Sequence, residues 1–495
     1  MRKSKKMITD GGSNAARCMH ITMEEVIMEV KDLMLKRENA WEIFGKEKKE
    51  EIYSFARDYC AFLDASKTER ECVTTAAAIL EEKGFRPLDT MDKVVPGDKV
   101  YKDIRGKGLV AAVIGQKPMA EGLNILGAHI DSPRIDLKPM PLFEDSDMAF
   151  FKTHYYGGIK KYQWSTIPMA IHGVIYNQEG EKIKLAIGEK EDDPVFTINE
   201  ILIHLSQEQM TRKANEAVKA EEMNVLIGSI PMDKADEEKI KETVKAAVLQ
   251  YLYDTYKITE KDFISAELEM VPAHKAKDIG FDRSMVGAYG QDDRVCAYTA
   301  LRALMDMEAP EKTCVCLLSD KEEVGSGGNT GAQSRSYENA IRKIMAKLYG
   351  HCDEYEYCLC IENSKMLSSD VAAAFEPAYP SAYEKNNTAF AGKGVSLIKY
   401  TGSRGKSGAS DANCEFFHEV AKTFDDHHIV WQTGELGRVD LGGGGTIAVY
   451  MANLGMQVID CGVPVLSMHA PFEVTSKVDI YSTYDGFRVF LENIK

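Results

Sequence analysis

From about residue 275 to its end the chain alternates helical and strand-like patterns, which restricts it to the α/β class before any motif is weighed. Apolar spacing predicts helices over 293–307, 335–348, 412–422, 444–452 and 482–493, and strands over 313–319, 357–362, 395–400, 428–433 and 457–467. Upstream, helices are expected over 48–65, where Ile52, Phe55, Ala56, Tyr59 and Phe62 recur at helical spacing, and over 68–83, closed by Gly84. A hairpin follows over 99–114, with Gly106 and Gly108 at its turn, and then a strand over 124–130. Between residues 138 and 274 the pattern becomes β-rich (WSTIPMAIHGVIYN, KIKLAIG) around a charged, weakly apolar stretch over 206–245, which suits either a solvated helix or a mobile loop. The order is that of one α/β domain, 1–137 and 275–495, split by an inserted domain over 138–274.

Size and charge narrow the function. With 495 residues and 44% hydrophobic content, the chain can bury one large core and has length enough for two. It contains no uncharged apolar run long enough to span a bilayer, and MRKSKKMITDGG is basic without the apolar core of a signal peptide, so a soluble cytoplasmic protein is expected. A formal net charge of −16 argues against nonspecific nucleic-acid binding, which needs a concentrated basic face. Eleven cysteines, an odd number without a CxxC pair, point to reduced thiols. Cys314 with Cys316, and Cys358 with Cys360, alternate in strand-like runs and are expected as buried small hydrophobes.

Chemistry-bearing residues gather where the predicted strands end. LNILGAHIDSP delivers His129 and Asp131, TCVCLLSDKEEVGSGG delivers Glu322 and Glu323, and AYGQDDRVCAYTAL places Asp292 just before a helix. Asp370 in LSSDVAAAF and His469 in VLSMHAPFE complete the set. A pair of divalent cations needs a bridging carboxylate, ligands for each ion and one free carboxylate to take a proton from water. These residues supply each part: His129 as ligand, Asp131 on the same face to fix its tautomer, Asp292 as bridge, and the two glutamates as ligand and general base.

Each residue also has an ordinary reading. His129 suits a hydrogen-bonded core histidine, the glutamates a solvated pair, and Asp292 and Asp370 helix or turn caps. Their common position at strand ends or helix starts of one domain pattern favours a shared site.

Taken together, GAHIDSPRIDLKP, YGQDD, DKEEVGS, SSD followed by small residues, and LSMHAPFE, in this order between Gly127 and Phe472, resemble the aspartyl aminopeptidase family of dinuclear-zinc exopeptidases. The resemblance implies that His129 and Asp370 hold one metal ion, Glu323 and His469 the other, and Asp292 both, with Glu322 as the base that activates a shared water. Zinc is the expected ion, with cobalt or manganese as alternatives. It further implies a phosphorylase-like three-layer α/β/α domain, an inserted dimerisation domain, peptide substrates and homo-oligomers built from dimers up to dodecamers.

The substrate side chain is less constrained. Acid-preferring relatives receive the side chain in a cationic pocket; Lys399 in SLIKYTG is the candidate for that cation, and is equally well read as a surface strand lysine. Where such relatives have a histidine soon after the aspartate ligand, this chain has Ala373 in DVAAA, a departure that weakens the case for acidic specificity. Gly443 and Gly444, in the run 442–445, either present backbone amides to a peptide or simply lead into a helix. Two other functions compete: a dinuclear carboxypeptidase or amidase, which would need an arginine clamp in the inserted domain, and a noncatalytic oligomeric scaffold.

Overall fold

Residues 30–233 and 240–495 are described by a computed structural model. The segment MRKSKKMITDGG and part of the charged stretch, 234–239, lie outside the described residues. The chain divides into two units at Arg37, and the described part of the first carries one 3-10 turn, Val30–Leu33.

In the second unit the helix Lys49–Asp64 buries the predicted stripe of Ile52, Phe55, Ala56, Tyr59 and Phe62. Glu69–Glu82 follows, started by a reciprocal capping box between Thr68 and Glu71. The strands that position the site form a nine-stranded mixed sheet. At its centre Cys314–Ser319, Asn124–His129, Lys365–Ser368 and Gln457–Gly462 run parallel in that spatial order, so their C-terminal ends open on one edge. The flanking strands Leu109–Val113 and Val395–Ile398 are antiparallel to this set. Side chains alternate between two separate buried clusters: Leu126, Cys316 and Leu367 pack into one, and Ile125, Leu317 and Met366 into the other. Cys314 and Cys316 are fully buried with thiol pKa values pushed up by burial, as inert core residues should be.

The expected strand over 357–362 is corrected to a helix, Glu354–Glu362. Asp353 caps it by accepting from the amides of Tyr355 and Glu356, and the residues it buries, Tyr357, Cys360 and Ile361, have helical spacing. Cys358 is therefore exposed while Cys360 is buried. The strand comes next, at Lys365–Ser368. The expected helix over 444–452 shortens to Ala448–Ala452, because Gly443–Gly444 pairs antiparallel with Gly402–Ser403 instead.

A second, seven-stranded antiparallel sheet is built from strands between Arg134 and Pro272, in agreement with the β-rich pattern there. Its charged part folds as short 3-10 turns, Gln209–Thr211, Ala214–Glu216 and Ala220–Glu222, followed by the strand Val225–Gly228 and, after the undescribed residues, the helix Thr243–Tyr256. Among the described residues no helix is long and apolar enough to cross a membrane.

Candidate metal centre

The open edge of the central strands collects the predicted ligands. His129 is the last residue of Asn124–His129 and pairs in register with Ser319, so Glu322 and Glu323, three and four residues further on, lie beside it. Asp370 follows the end of Lys365–Ser368 by two residues. Asp292 lies at the start of Gln291–Met305, where its backbone and that of Asp293 depart from helical angles. His469 arrives on the turn after Pro464–Leu466, with a left-handed φ of 65°. Glu473 accepts the amide of His469 at 2.8 Å and that of Asp292 at 3.1 Å, and so fixes both segments.

The carboxylate of Asp292 divides between the histidines. Its Oδ1 is 3.2 Å from His129 Nε2, and its Oδ2 is 3.2 Å from His469 Nε2. On the first side Asp370 Oδ1 lies 3.8 Å from His129 Nε2; on the second, Glu323 Oε1 lies 3.6 Å from His469 Nε2. Two ligands each about 2.1 Å from one tetrahedral zinc are about 3.4 Å apart, which is the spacing found here. His129, Asp292 and Glu323 form one compact potential metal-binding group, and His129, Glu322 and Asp370 another. Asp292 Oδ1 and Glu323 Oε1 are buried without a hydrogen-bond partner, as ligand atoms would be.

The outer nitrogens of the imidazoles are also engaged. His129 Nδ1 lies 3.0 Å from the Asp131 carbonyl and 3.3 Å from its Oδ1, and His469 Nδ1 lies 2.8 Å from the Gly158 carbonyl. A carbonyl can only accept, so both Nδ1 atoms carry protons and both Nε2 atoms face the carboxylates. Asp131 also accepts the amides of Glu322 at 3.1 Å and Glu323 at 3.2 Å, which aims the glutamate turn at the site.

Electrostatics fit a cation site. Burial pushes Glu322 up to about 7 and raises Glu323 and Asp370 well above the carboxylate range, helped by neighbouring carboxylates. Burial disfavours charge on His469, yet Asp292 and Glu323 carry it up to about 10; His129 is likewise raised against burial by Asp131, Asp292 and Asp370. So much acceptor charge in a buried pocket, held in check by histidines, is what divalent cations would neutralise.

The centre forms the floor of a cleft of about 530 Å³. Gly443 and Gly444 line it, as do Tyr400, Arg404, Lys406 and Glu435. At Gly443, where φ is 111°, a Cβ would approach the Gly402 carbonyl oxygen to 2.2 Å, so the cleft wall admits no side chain there. Lys399 is not brought to the cleft: its ammonium donates to the Ala412 carbonyl at 2.8 Å and lies 3.6 Å from Asp411. The cations that do line it, Arg404 and Lys406, were missed because nothing in the local sequence sets them apart. Tyr156 and Glu473 were missed as well. Glu473 stands only four residues after His469, whereas Tyr156 reaches Asp131 from the second sheet and leaves no local signal.

Comparison with known proteins assigns the chain to a family. Residues 62–491 match the family model described as aminopeptidase I zinc metalloprotease (M18). A probable M18 family aminopeptidase 1 of Clostridium acetobutylicum is 50% identical over 93% of this chain and 99% of its own length. One of Thermotoga maritima is 46% identical over 93% of this chain and 100% of its own. The crystal structure of an M18 aminopeptidase from Thermotoga maritima superposes with a TM-score of 0.89 at 45% identity, covering 93% of this chain and all of the other. That of aminopeptidase I from Clostridium acetobutylicum gives 0.85 at 48% identity with the same coverage. The S. cerevisiae mApe1 dodecamer shares the fold, with a TM-score of 0.69 at 20% identity over 88% of this chain and 95% of its own. With its fold and most of its length matched in this way, the chain belongs to the M18 family of zinc aminopeptidases.

Proposed function

We propose that this protein removes the N-terminal residue of peptides with a pair of zinc ions bridged by Asp292 and with Glu322 as general base. The observation that carries the reading is the division of the Asp292 carboxylate, one oxygen to each histidine, at 3.2 Å on both sides. His129 and Asp370 would hold one ion, and Glu323 and His469 the other. Bound there, zinc supplies a lowered pKa for the attacking water and polarisation of the scissile carbonyl. Glu322 takes the water proton and returns it to the leaving amine. Asp131 keeps His129 in the tautomer that offers Nε2 and holds the Glu322–Glu323 turn by its amides. Gly443 and Gly444 line the cleft wall without side chains, which leaves room there for an extended peptide.

The same reading takes 1–137 with 275–495 as a three-layer α/β/α catalytic domain and 138–274 as an inserted dimerisation domain. The two buried clusters flanking the nine-stranded sheet support the layers, and the seven-stranded sheet confined to Arg134–Pro272 supports the insertion. A cytoplasmic homo-oligomer built from dimers, up to the dodecamer named for the S. cerevisiae relative, completes it. A carboxypeptidase or amidase would need an arginine clamp from the inserted segment. Among the described residues lining the cleft, the arginine is Arg404, from outside that segment.

The test is hydrolysis of aminoacyl chromogenic substrates with Asp, Glu, Leu or Lys at the N-terminus, by metal-stripped protein before and after adding zinc, cobalt or manganese. Zinc-dependent cleavage is expected, with the preferred side chain read from the same panel. No cleavage with any residue or metal would move the assignment to the amidase or scaffold.

A further inference from the structure

The second sheet meets the metal centre at three consecutive residues. Tyr156 ends the strand Met148–Tyr156, and Gly157 and Gly158 follow it. The Tyr156 hydroxyl donates to Asp131 Oδ2 at 2.8 Å. Gly157, at a φ of 74°, brings the backbone close enough that a Cβ there would lie 3.1 Å from Glu323 Oε2. Gly158 gives its carbonyl to His469 Nδ1 at 2.8 Å.

Asp131 is fully buried, and its two oxygens have about four lone-pair sites to fill. Oδ1 faces His129 Nδ1 and the Glu322 amide; Oδ2 takes the Glu323 amide and the Tyr156 hydroxyl. Three hydrogen bonds thus hold the carboxylate, with His129 Nδ1 3.3 Å from Oδ1, and the tyrosine is the donor supplied by the second sheet. Its ring is fixed in turn: Arg134, directly opposite on the neighbouring strand, places its guanidinium 3.9 Å from the ring centroid. Arg134 is itself anchored by Asp136 at 2.8 Å, Glu269 at 3.2 Å and Glu69 at 3.4 Å.

We infer that Tyr156 is a positioning residue for the metal centre, acting through Asp131 on His129 and the Glu322–Glu323 turn, and that 156–158 form a brace by which the second sheet sets the outer contacts of both histidines. The inference rests on the dinuclear reading above. It means that the second sheet is a working part of the centre, because the hydroxyl supplies the bond that holds Asp131 from outside the glutamate turn.

The test is zinc affinity of the full chain, by competition with a chromophoric chelator, for Tyr156→Phe, Asp131→Asn and the double variant. Loss of a partner that orients a metal ligand typically costs about 10- to 100-fold in metal affinity; Asp131→Asn is expected in that range and Tyr156→Phe, one contact further out, at its lower end of about 10-fold, with an unchanged melting temperature of the metal-stripped protein. In the Asp131→Asn background the same change should add no more than about twofold, since its path is already cut. Wild-type zinc affinity for Tyr156→Phe, a full loss persisting in the Asp131→Asn background, or a matching fall in the metal-free melting temperature would each overturn the role. His129→Ala separates the two claims: if it too kept wild-type affinity, the metal site itself would be misassigned, whereas its loss beside an unaffected Tyr156→Phe would remove only the brace.

Discussion

Glu322→Gln is expected to lower kcat by about 10²- to 10⁴-fold, the range for removing a general base, while KM and zinc content stay near wild type. The substitution keeps size and hydrogen-bonding shape and removes only the basic oxygen. At about 1.4 kcal/mol per decade, the loss corresponds to roughly 3–6 kcal/mol of transition-state stabilisation. In the metal-free chain burial raises the Glu322 carboxyl to about 7, and cations bound beside it would draw it back toward the ionised form a base needs. The variant also separates two roles the geometry allows, because Glu322 lies close enough to His129 and Asp370 to serve as a ligand. A base that is not a ligand predicts lost turnover with both ions retained. Loss of one zinc per chain would make Glu322 a ligand and leave the base unassigned.

Asp292→Asn is expected to be more damaging, because one carboxylate serves both sides of the centre. The amide keeps the shape but has a single acceptor oxygen, so one of the two positions facing His129 and His469 would be taken by an NH₂ group unable to bind a cation. With the proposed pair of ions, each worth several kcal/mol of transition-state stabilisation, removing their shared ligand should cost on the order of 10³-fold or more in kcat/KM. Zinc content should fall for both ions together. Asp370→Asn, which touches one side only, should spare the ion held by Glu323 and His469. Zinc measured by atomic absorption on dialysed protein, beside the rates, distinguishes these cases; Asp292→Asn with full zinc and near-normal rate would refute the bridging role.

Much of this site could be read from the chain because parallel strands place their ends on one edge. Once LNILGAH and TCVCLLS are taken as buried strands, His129 and the two glutamates fall on one edge, and the register pairing His129 with Ser319 makes them neighbours. The segment YCLCIE misled because its apolar residues satisfy both a period of two and a helical stripe. Asp353, four residues upstream of the run, decides for the helix by capping it. Tyr156 and Lys399 show the other limit. Tyr156 belongs to the centre through a tertiary contact with Asp131 that no local spacing encodes. Lys399 has the right residue type in the right neighbourhood, but its side chain turns toward Ala412 and Asp411 and leaves Arg404 and Lys406 at the cleft.

The central claim is a metal pair shared through Asp292, and the measurement that addresses it most directly is an anomalous difference map, recorded at the zinc absorption edge, from crystals grown with zinc. Two peaks about 3.5–4 Å apart are expected, one against His129 and Asp370, the other against Glu323 and His469, with the Asp292 carboxylate between them. A single peak, or zinc bound away from Asp292, would contradict it.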